Sequence, residues 1–192
     1  MLCASAFTAG DYAKFGLFRG RCYQWGYFPE TIRYANIDEL IGCKEKTTIL
    51  WCGRFLDWKH PDDVLEAARR LRDAGYSFRF KLIGTGEMEQ PLKLQASEAG
   101  LLDKNVCFLG TMSPENVRRH MENAGIYLFT SDRREGWGAV LNEAMNSGCA
   151  VIASDAAGAT PFLIKDGVNG SVYHSGSVQE LYEKLRRLLD DT

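Results

Sequence analysis

The chain has 192 residues, a length typical of one globular domain with a small extension. Hydrophobic residues make up 45% of the sequence and charged residues 25%, as is ordinary for a globular protein. The formal net charge of −2 argues against a broad surface for nucleic acid or anionic membranes, because such surfaces need an excess of Lys and Arg.

The predicted elements begin after an aromatic and glycine-rich stretch with little strand-like sequence, which ends in a polar connector at residues 34–46. From about residue 47, short apolar runs alternate with amphipathic segments. The predicted strands are residues 48–52, 78–83, 106–109, 126–129, 150–153 and 171–173. The predicted helices are residues 61–74, 87–99, one opening at Ser113, 137–146, a short one at Pro161 and one starting at Ser177. Caps and stops support these boundaries: Ser113 as an N-cap, Gly75 as a stop, and Ser177 with Glu180 as a capping box.

Strands that alternate with helices of this length predict an α/β fold, with a parallel sheet between two layers of helices. The short continuous apolar runs are typical of strands buried on both faces. Such sheets bind their ligands beyond the carboxyl ends of the strands, where the strand order reverses. The loops that follow the strands are therefore the segments in which functional residues should be found.

The loop after the first of these strands, residues 53–59, carries Arg54 and Lys59. A guanidinium group and an ammonium group together suit a diphosphate, because both donate charge-assisted hydrogen bonds to phosphate oxygens. We expect both side chains to be exposed on the loop. From the residues alone, a pair of solvated surface charges explains them equally well.

The next loop contains Gly84-Thr85-Gly86, which resembles the start of a dinucleotide-binding G-x-G-x-x-G loop. However, Glu89 occupies the position of the third glycine, and the loop follows the second strand of the unit. A tight turn that needs small residues is therefore the better explanation of these glycines.

The strongest candidate segment is residues 134–145. Glu135 lies in the loop and Glu143 on the following helix, eight residues or about two helical turns later, and we expect both carboxylates to face one cleft. Gly136 and Gly138 let backbone N–H groups approach a ligand at the start of a helix. Carboxylates accept hydrogen bonds from sugar and ribose hydroxyls, although Glu143 could instead pair with a neighbouring cation.

The six cysteines contain no C-x-x-C pair, and we expect the reduced thiols of a cytosolic protein rather than a disulfide framework. The three histidines have no ligand spacing with one another or with the cysteines, so the sequence does not support a metal site. No apolar run approaches the ~20 residues of a membrane span. The N-terminus also lacks the basic segment of a signal peptide.

In their order and spacing, these motifs resemble the C-terminal, donor-binding half of a retaining glycosyltransferase of GT-B architecture, from the family 4-like group. The matching segments are Gly53-Arg54 with Lys59, Ile83–Gly86, Phe108–Gly110, Glu135–Glu143, Gly148, Val151–Ser154 and Asp166–Gly170. The resemblance implies a Rossmann-like domain over residues 46–192, preceded by residues 1–45 as the tail of a truncated N-terminal acceptor domain and a connector. It also implies that the full protein extends beyond both ends.

The resemblance also implies roles for individual residues. Arg54 and Lys59 would hold the diphosphate and stabilise it as it leaves, and Glu135 would contact the transferred sugar. The implied donor-binding positions are Gly53, Gly84, Gly86, Met112, Gly136, Trp137, Gly138 and Glu143. Glu143 would bind the ribose and Met112 would border the base. Enzymes of this type need neither a metal nor another cofactor. Phe162 stands where many relatives have Glu after Pro161, so no role is carried over to that position.

The implied activity is transfer of a hexosyl group from a nucleotide-diphosphate sugar, with retention, to an unknown acceptor. That acceptor would be a sugar or lipid-linked glycan bound by the missing N-terminal domain, so this chain alone would bind donor without turnover. The expected context is polysaccharide biosynthesis in the cytoplasm, with peripheral contact at the inner membrane face.

Two alternatives remain open from the sequence. One is a dinucleotide-dependent oxidoreductase domain, for which Asp103 lies 19 residues after Gly84 but follows a helix rather than a strand. The other is a non-catalytic nucleotide-sugar-binding module, against which the intact Arg54, Glu135 and Glu143 argue.

Overall fold

The computed structural model describes residues 1–191 and confirms the α/β fold. The strands are β1 (Leu2–Cys3), β2 (Tyr23–Gln24), β3 (Glu45–Cys52), β4 (Arg79–Ile83), β5 (Val106–Phe108), β6 (Ala124–Phe129), β7 (Ala150–Ser154) and β8 (Ser171–Tyr173). The helices are α1 (Thr8–Lys14), α2 (Ile37–Gly42), α3 (Pro61–Asp73), α4 (Glu89–Glu98), α5 (Pro114–Asn123), α6 (Ala139–Asn146), α7 (Thr160–Leu163) and α8 (Val178–Asp190). A 3₁₀ turn, Asp57–Lys59, precedes α3.

The main sheet has six parallel strands in the order β5-β4-β3-β6-β7-β8. The chain builds outward from β3 to β5 on one side and then from β6 to β8 on the other. The strand order therefore reverses between β3 and β6, and the loops that leave these two strands diverge there. This is the point of such a sheet at which ligands bind.

The core consists of two apolar layers, one on each face of the sheet, because successive side chains of a strand point to opposite faces. On β3, Ile49 and Trp51 pack in the layer with α3, α4 and α8, whereas Leu50 packs in the layer with α5 and α6. All three side chains are buried. The main sheet is thus covered on both faces, which confirms the prediction from the continuous apolar runs.

Most predicted boundaries agree with the structure to within two residues. Ser113 Oγ accepts a hydrogen bond from Asn116 N at 3.4 Å, and Gly75 ends α3 with φ 83°. At α8, Ser177 Oγ accepts from Glu180 N at 3.3 Å as expected. The Glu180 carboxylate, however, accepts from His174 N at 2.8 Å rather than from the cap residue, so the capping box is only half formed.

Two predictions were wrong. The polar segment 34–46 is not a plain connector, because Asn36 caps the short helix α2 and β3 already begins at Glu45. The helix predicted from Trp137 begins at Ala139. Gly138 has φ 87°, a left-handed conformation that keeps it and the preceding residue outside the helix.

The segment before α2 is tied to the main domain by side chains of α5 and α6. Asn146 exchanges two hydrogen bonds with the backbone of Ile32, at 2.9 and 3.0 Å. Arg118 donates to Asn146 Oδ1 at 3.2 Å and to the Glu30 carbonyl at 3.2 Å. Tyr34 adds a hydrogen bond to Glu122 at 2.7 Å. These contacts attach residues 30–34 to the domain built on the main sheet.

We expect Asn146→Ala to lower the free energy of unfolding by about 1–3 kcal/mol, because two partly buried backbone groups of Ile32 lose their partner. Thermal unfolding measures this loss, which corresponds to roughly 2–12 °C for a chain of this size. Asn116→Ala is the matched control, since Asn116 is exposed and its side chain makes only a 3.5 Å contact with Arg119. Equal melting temperatures for the two variants would contradict the assignment.

Within residues 1–191, no helix combines the length and the apolar character needed to cross a membrane. All six cysteines of that range are free thiols, with Cys3 and Cys149 buried and Cys43 exposed. Burial raises the pKa of the Cys149 thiol to about 11, so it remains protonated at neutral pH.

Candidate functional site

A cavity of about 470 Å³ lies at the carboxyl edge of the sheet, where the loops after β3 and β6 diverge. Its lining is Ala4, Ser5, Thr8, Tyr27, Lys59 and residues 135–140. Five predicted site residues therefore meet in one place: Lys59, Glu135, Gly136, Trp137 and Gly138. The volume falls in the range of small-molecule sites.

Lys59 and Glu135 form an ion pair inside this cavity, between Nζ and Oε2. Their side chains are only 16% and 13% exposed, so the expectation of an exposed Lys59 was wrong. Ser131 Oγ lies 3.4 Å from the same carboxylate oxygen, and Lys59 Nζ lies 4.5 Å from the centre of the Trp58 ring. A cation and a carboxylate thus stand side by side, one suited to a phosphate and the other to hydroxyl groups.

A buried hydrogen-bond relay holds the two loops together. Trp51 Nε1 donates to Thr130 Oγ1 at 2.9 Å, and that hydroxyl donates to the Lys59 carbonyl at 2.5 Å. Asp132 N also donates to the Trp58 carbonyl at 2.9 Å. Thr130 is 1% exposed, so these partners satisfy a hydroxyl that burial would otherwise penalise. Sequence reasoning missed Thr130, whose only signal is its place directly after the end of β6.

Arg54 is exposed, and its side chain makes no hydrogen bond or ion pair within the described part of the chain. The lining of the cavity does not include it. Its expected exposure is confirmed, and its guanidinium group is free to bind a ligand that approaches from solvent. Arg54 and Lys59 therefore do not line the same cavity in this structure.

Three of the predicted donor-binding glycines are required for loop packing. A Cβ atom on Gly84, which has φ 131°, would lie 1.9 Å from the Gly53 carbonyl oxygen. One on Gly86 would lie 2.5 Å from the Phe55 carbonyl oxygen, and one on Gly53 would lie 3.2 Å from the Trp51 ring. The two loops thus pass in backbone contact, which confirms the interpretation of Gly84 and Gly86 as a tight turn.

The segment after Glu135 combines open backbone with a packed aromatic wall. Gly136 has no described atom within 4 Å of its Cβ position, which leaves room for a ligand. A Cβ atom on Gly138 would lie 2.0 Å from the Phe129 ring. Trp137 is 6% exposed, donates from Nε1 to Asn142 Oδ1 at 2.9 Å and packs beside Phe162 with ring centres 5.9 Å apart.

Glu135 and Glu143 line two separate cavities, and that both carboxylates face one cleft stays a prediction. Glu143 lines a cavity of about 300 Å³ together with Arg118 and other residues of α5. As expected, Glu135 lies in the loop before α6 and Glu143 lies on that helix. Met112 lines a third cavity of about 200 Å³ with His120 and other side chains of α5.

The charge of Glu143 nevertheless reaches the end of β3. Burial raises the pKa of Cys52 to about 11, the negative charge of Glu143 adds to the increase, and the positive charge of Lys59 opposes it. Cys52 is the last residue of β3, so both charges act at the point where the strand order reverses. Ala139 and Val140 of α6 line the cavity of Lys59 and Glu143 of the same helix lines the second, so the two cavities are neighbours.

Gly158 is a site residue that sequence reasoning missed. Its N–H donates to the Glu135 carbonyl at 2.9 Å, and its own carbonyl accepts from Ala6 N at 3.0 Å. A Cβ atom there would lie 1.9 Å from the Gly136 carbonyl oxygen. Gly158 thus joins the N-terminal segment to the loop that carries Glu135, and no local sequence signal marks this contact.

Three side chains that could ligate a metal come together, although the absence of a metal site stays a prediction. Ligand atoms of His60, Asp62 and Asp63 lie within 4.8 Å of one another at the start of α3. Acidic residues in a first helical turn also stabilise the helix through its dipole, so this arrangement has a structural explanation without an ion. Burial raises the pKa of Asp63, and the charge of Asp62 raises it further.

Comparison with protein families finds that residues 36–192 match the family described as glycosyl transferases group 1. The chain is 32% identical over 168 residues to the amylovoran biosynthesis glycosyltransferase AmsK of Erwinia amylovora, covering 85% of this chain and 40% of that protein. It is 30% identical over 159 residues to the alpha-D-kanosaminyltransferase of Streptomyces kanamyceticus, covering 83% and 40%. The chain thus spans about two fifths of the length of these curated relatives.

Solved structures share the fold at lower identity. The lipopolysaccharide outer core galactosyltransferase WaaB superposes with a TM-score of 0.83 at 23% identity, over 99% of this chain and 52% of that protein. Anabaena HepE in complex with UDP superposes with a TM-score of 0.81 at 22% identity, over 99% and 54%. Both comparisons include the N-terminal segment that precedes the family match.

Proposed function

Since this chain belongs to the glycosyl transferases of group 1, we propose that it binds the nucleotide-diphosphate sugar donor of a hexosyl transfer. The observation that carries this proposal is the Lys59–Glu135 pair in the cavity where the strand order reverses. Lys59 binds the diphosphate and stabilises the negative charge that develops as the diphosphate leaves. Exposed Arg54 adds a second cation when donor is bound.

The remaining predicted roles belong to the same proposal. Glu135 accepts hydrogen bonds from hydroxyls of the transferred sugar, and open Gly136 lets the ligand approach the backbone. Glu143, in the neighbouring cavity, accepts from the ribose hydroxyls, and Met112 borders the base. Two nearby cavities suit the two ends of an elongated ligand, with the diphosphate between them.

Retention of anomeric configuration is also part of the proposal. The acceptor hydroxyl attacks the anomeric carbon on the face from which the diphosphate leaves. A new carbon–oxygen bond forms to the acceptor, the bond to the phosphate oxygen breaks, and the acceptor proton passes to the departing phosphate. Lys59 and Arg54 supply the positive charge that a metal ion supplies in other transferases.

We assign residues 1–45 to the tail of an acceptor-binding domain with its connector, and residues 46–192 to the donor domain. The curated relatives are longer than this chain, which covers about two fifths of them, and their remaining length is enough for a further domain. The acceptor, a sugar or a lipid-linked glycan, is bound outside this chain, which by itself binds donor without turnover. The proposal places the reaction in the cytoplasm, at the inner membrane face, and in polysaccharide synthesis. Among similar proteins, one is named an amylovoran biosynthesis glycosyltransferase and another a phosphatidyl-myo-inositol mannosyltransferase.

Calorimetric titration with UDP, GDP, ADP and CMP tests the proposal, with thermal unfolding beside it. Ligand at 100 times its Kd should add about 2.7 kcal/mol to the free energy of unfolding. For this size the melting temperature should rise by roughly 5–10 °C. Binding of one nucleoside diphosphate would support the donor site and identify the base of the nucleotide-sugar donor. No binding by this chain, and none by the full-length protein, would overturn the proposal.

We expect Glu143→Gln to weaken binding of the nucleoside diphosphate by about tenfold, since hydrogen bonds to a charged acceptor contribute about 1.5–3 kcal/mol. Binding of free pyrophosphate, which has no ribose, should stay within about twofold of the natural chain. Calorimetry with both ligands measures the difference. An equal loss for the two would place Glu143 away from the ribose.

A further inference from the structure

We propose that Ser5 and Thr8, from the segment before the matched family region, bind hydroxyl groups of the transferred sugar and so help to select it. Both residues line the cavity that holds Lys59 and Glu135. The inference rests on the proposed donor function, and it assigns two hydroxyl side chains to the part of the cavity in which the transferred sugar would bind.

The N-terminal segment is fastened to the loop that carries Glu135. Ala6 N donates to the Gly158 carbonyl at 3.0 Å, and Gly158 N donates to the Glu135 carbonyl at 2.9 Å. Two hydrogen bonds through one glycine therefore connect the backbone next to Ser5 with the backbone of Glu135. Ser5 is held in place relative to the carboxylate rather than lying on an independent arm.

Arg133 adds a second attachment. Its guanidinium group lies 4.4 Å from the centre of the Phe7 ring and 2.8 Å from Asp11 Oδ1. The hydrogen bond and charge of Arg133 contribute to a lowered pKa of Asp11, after the larger effect of Lys14, so this carboxylate is ionised at neutral pH. Contacts on both sides of Thr8 thus hold α1 against the loop after β6.

A third contact lies where the segment leaves the cavity. A Cβ atom on Gly26 would lie 2.6 Å from the ring of Trp137, so the backbone passes directly over the indole. The Tyr27 and Trp137 rings are 6.3 Å apart. Tyr27 is exposed and lines the cavity, so its ring offers apolar surface to the C–H groups of a sugar ring.

The two hydroxyls are free to bind a ligand. Ser5 Oγ accepts from Phe7 N at 3.2 Å, which leaves its own proton to donate. It lies at the Gly136 end of the cavity, because a Cβ atom on Gly158 would meet Ser5 Oγ at 2.6 Å and the Gly136 carbonyl at 1.9 Å. Thr8 is partly exposed, and its hydroxyl has no partner within residues 1–191.

The chemistry of this end favours a sugar over a phosphate. The Glu135 carboxylate can only accept hydrogen bonds, which a sugar hydroxyl can donate and an ionised diphosphate cannot, and the two neutral hydroxyls beside it can both donate and accept. Sugar hydroxyls have the same double capacity. A site built to hydrogen-bond a substrate hydroxyl rejects analogues that lack it far more strongly than an apolar pocket does.

Calorimetry on the whole chain tests this assignment with UDP-glucose and GDP-mannose, each compared with its free nucleoside diphosphate. In Ser5→Ala/Thr8→Val, affinity for the nucleotide sugar that binds should fall by about tenfold or more, since each neutral hydrogen bond accounts for roughly fivefold. Affinity for the free diphosphate should stay within about twofold. Thr8→Ser with Ser5 unchanged keeps both hydroxyls, so this variant should retain most of the affinity for the nucleotide sugar.

Ser97→Ala is the matched control, because Ser97 is exposed on α4. If the double variant unfolds, Thr8→Val alone still tests the assignment, since the Thr8 hydroxyl has no partner to lose. Unchanged affinity for the nucleotide sugar would overturn the inference, as would an equal loss of the sugar and the free diphosphate. Absence of any nucleotide binding by the natural chain and the full-length protein would instead overturn the donor function itself.

Discussion

The Arg54→Ala/Lys59→Ala chain should bind its nucleoside diphosphate about 100-fold or more weakly than the natural chain, since two charge-assisted hydrogen bonds are lost. Lys59 is held at the edge of the cavity by its pair with Glu135, whereas Arg54 has no partner in the structure and is free to close on the ligand. Calorimetric titration with the nucleotide that binds the natural chain measures the loss.

A second variant separates a specific site from the effect of net charge. Lys104→Ala/Arg186→Ala removes the same two charges from exposed positions away from the sheet edge. Its affinity for the diphosphate should stay within about threefold of the natural chain, because exposed charges are largely screened at physiological salt. Equal losses in the two double variants would contradict a phosphate site at Arg54 and Lys59.

Removal of Lys59 should also affect stability, because the structure shows its side chain partly buried against Glu135. The unpaired carboxylate would retain only Ser131 Oγ at 3.4 Å. We expect a loss of about 1–3 kcal/mol in the free energy of unfolding. Glu135→Gln in the Lys59→Ala background removes the uncompensated charge, so it should recover stability without recovering affinity for the diphosphate.

Gly84→Ala should lower the free energy of unfolding by about 3 kcal/mol or more, because a side chain there has neither the space nor the backbone conformation it needs. Gly84 has φ 131°, and a Cβ atom would overlap the Gly53 carbonyl oxygen at 1.9 Å. The loop after β3 would have to move, and it carries Lys59. Affinity for the diphosphate should therefore fall together with stability.

Gly42→Ala provides the comparison for this variant. Gly42 ends α2, has no described atom within 4 Å of its Cβ position and has no left-handed φ. Alanine there should raise the free energy of unfolding by up to about 1 kcal/mol. Thermal unfolding should show Gly84→Ala melting roughly 6–12 °C below the natural chain. A Gly84→Ala chain that melts with the natural protein would show that the two loops are not in contact.

Much of the fold was predictable because its signals are local. Ser113 caps α5 and Gly75 ends α3, and both act on groups within a few residues of themselves. The apolar runs of the central strands can be recognised in the sequence without knowing which strands pair with each other. Their alternation with helices, together with the rule for parallel sheets, was enough to direct attention to the loops after β3 and β6.

The site was predictable in its members but not in its arrangement. Lys59 and Glu135 were expected to serve a common ligand, and the structure places them in an ion pair. Glu135 and Glu143 were expected to share a cleft, and they line two cavities to which α6 contributes side chains. Lys59 was expected to be exposed, and its burial was not predictable because it depends on Glu135, 76 residues away in the sequence.

The sequence by itself determined the elements, their order and the identity of the charged loop residues, since each depends on side-chain period, capping or composition within a short stretch. Only the tertiary structure decided which loops meet. The Thr130 hydroxyl donates to the carbonyl of Lys59, 71 residues earlier in the chain. Gly158 hydrogen-bonds to both Ala6 and Glu135, so it joins three segments that are distant in the sequence. Such contacts depend on strand order and on backbone packing at single glycines, and neither leaves a periodic signal along the chain.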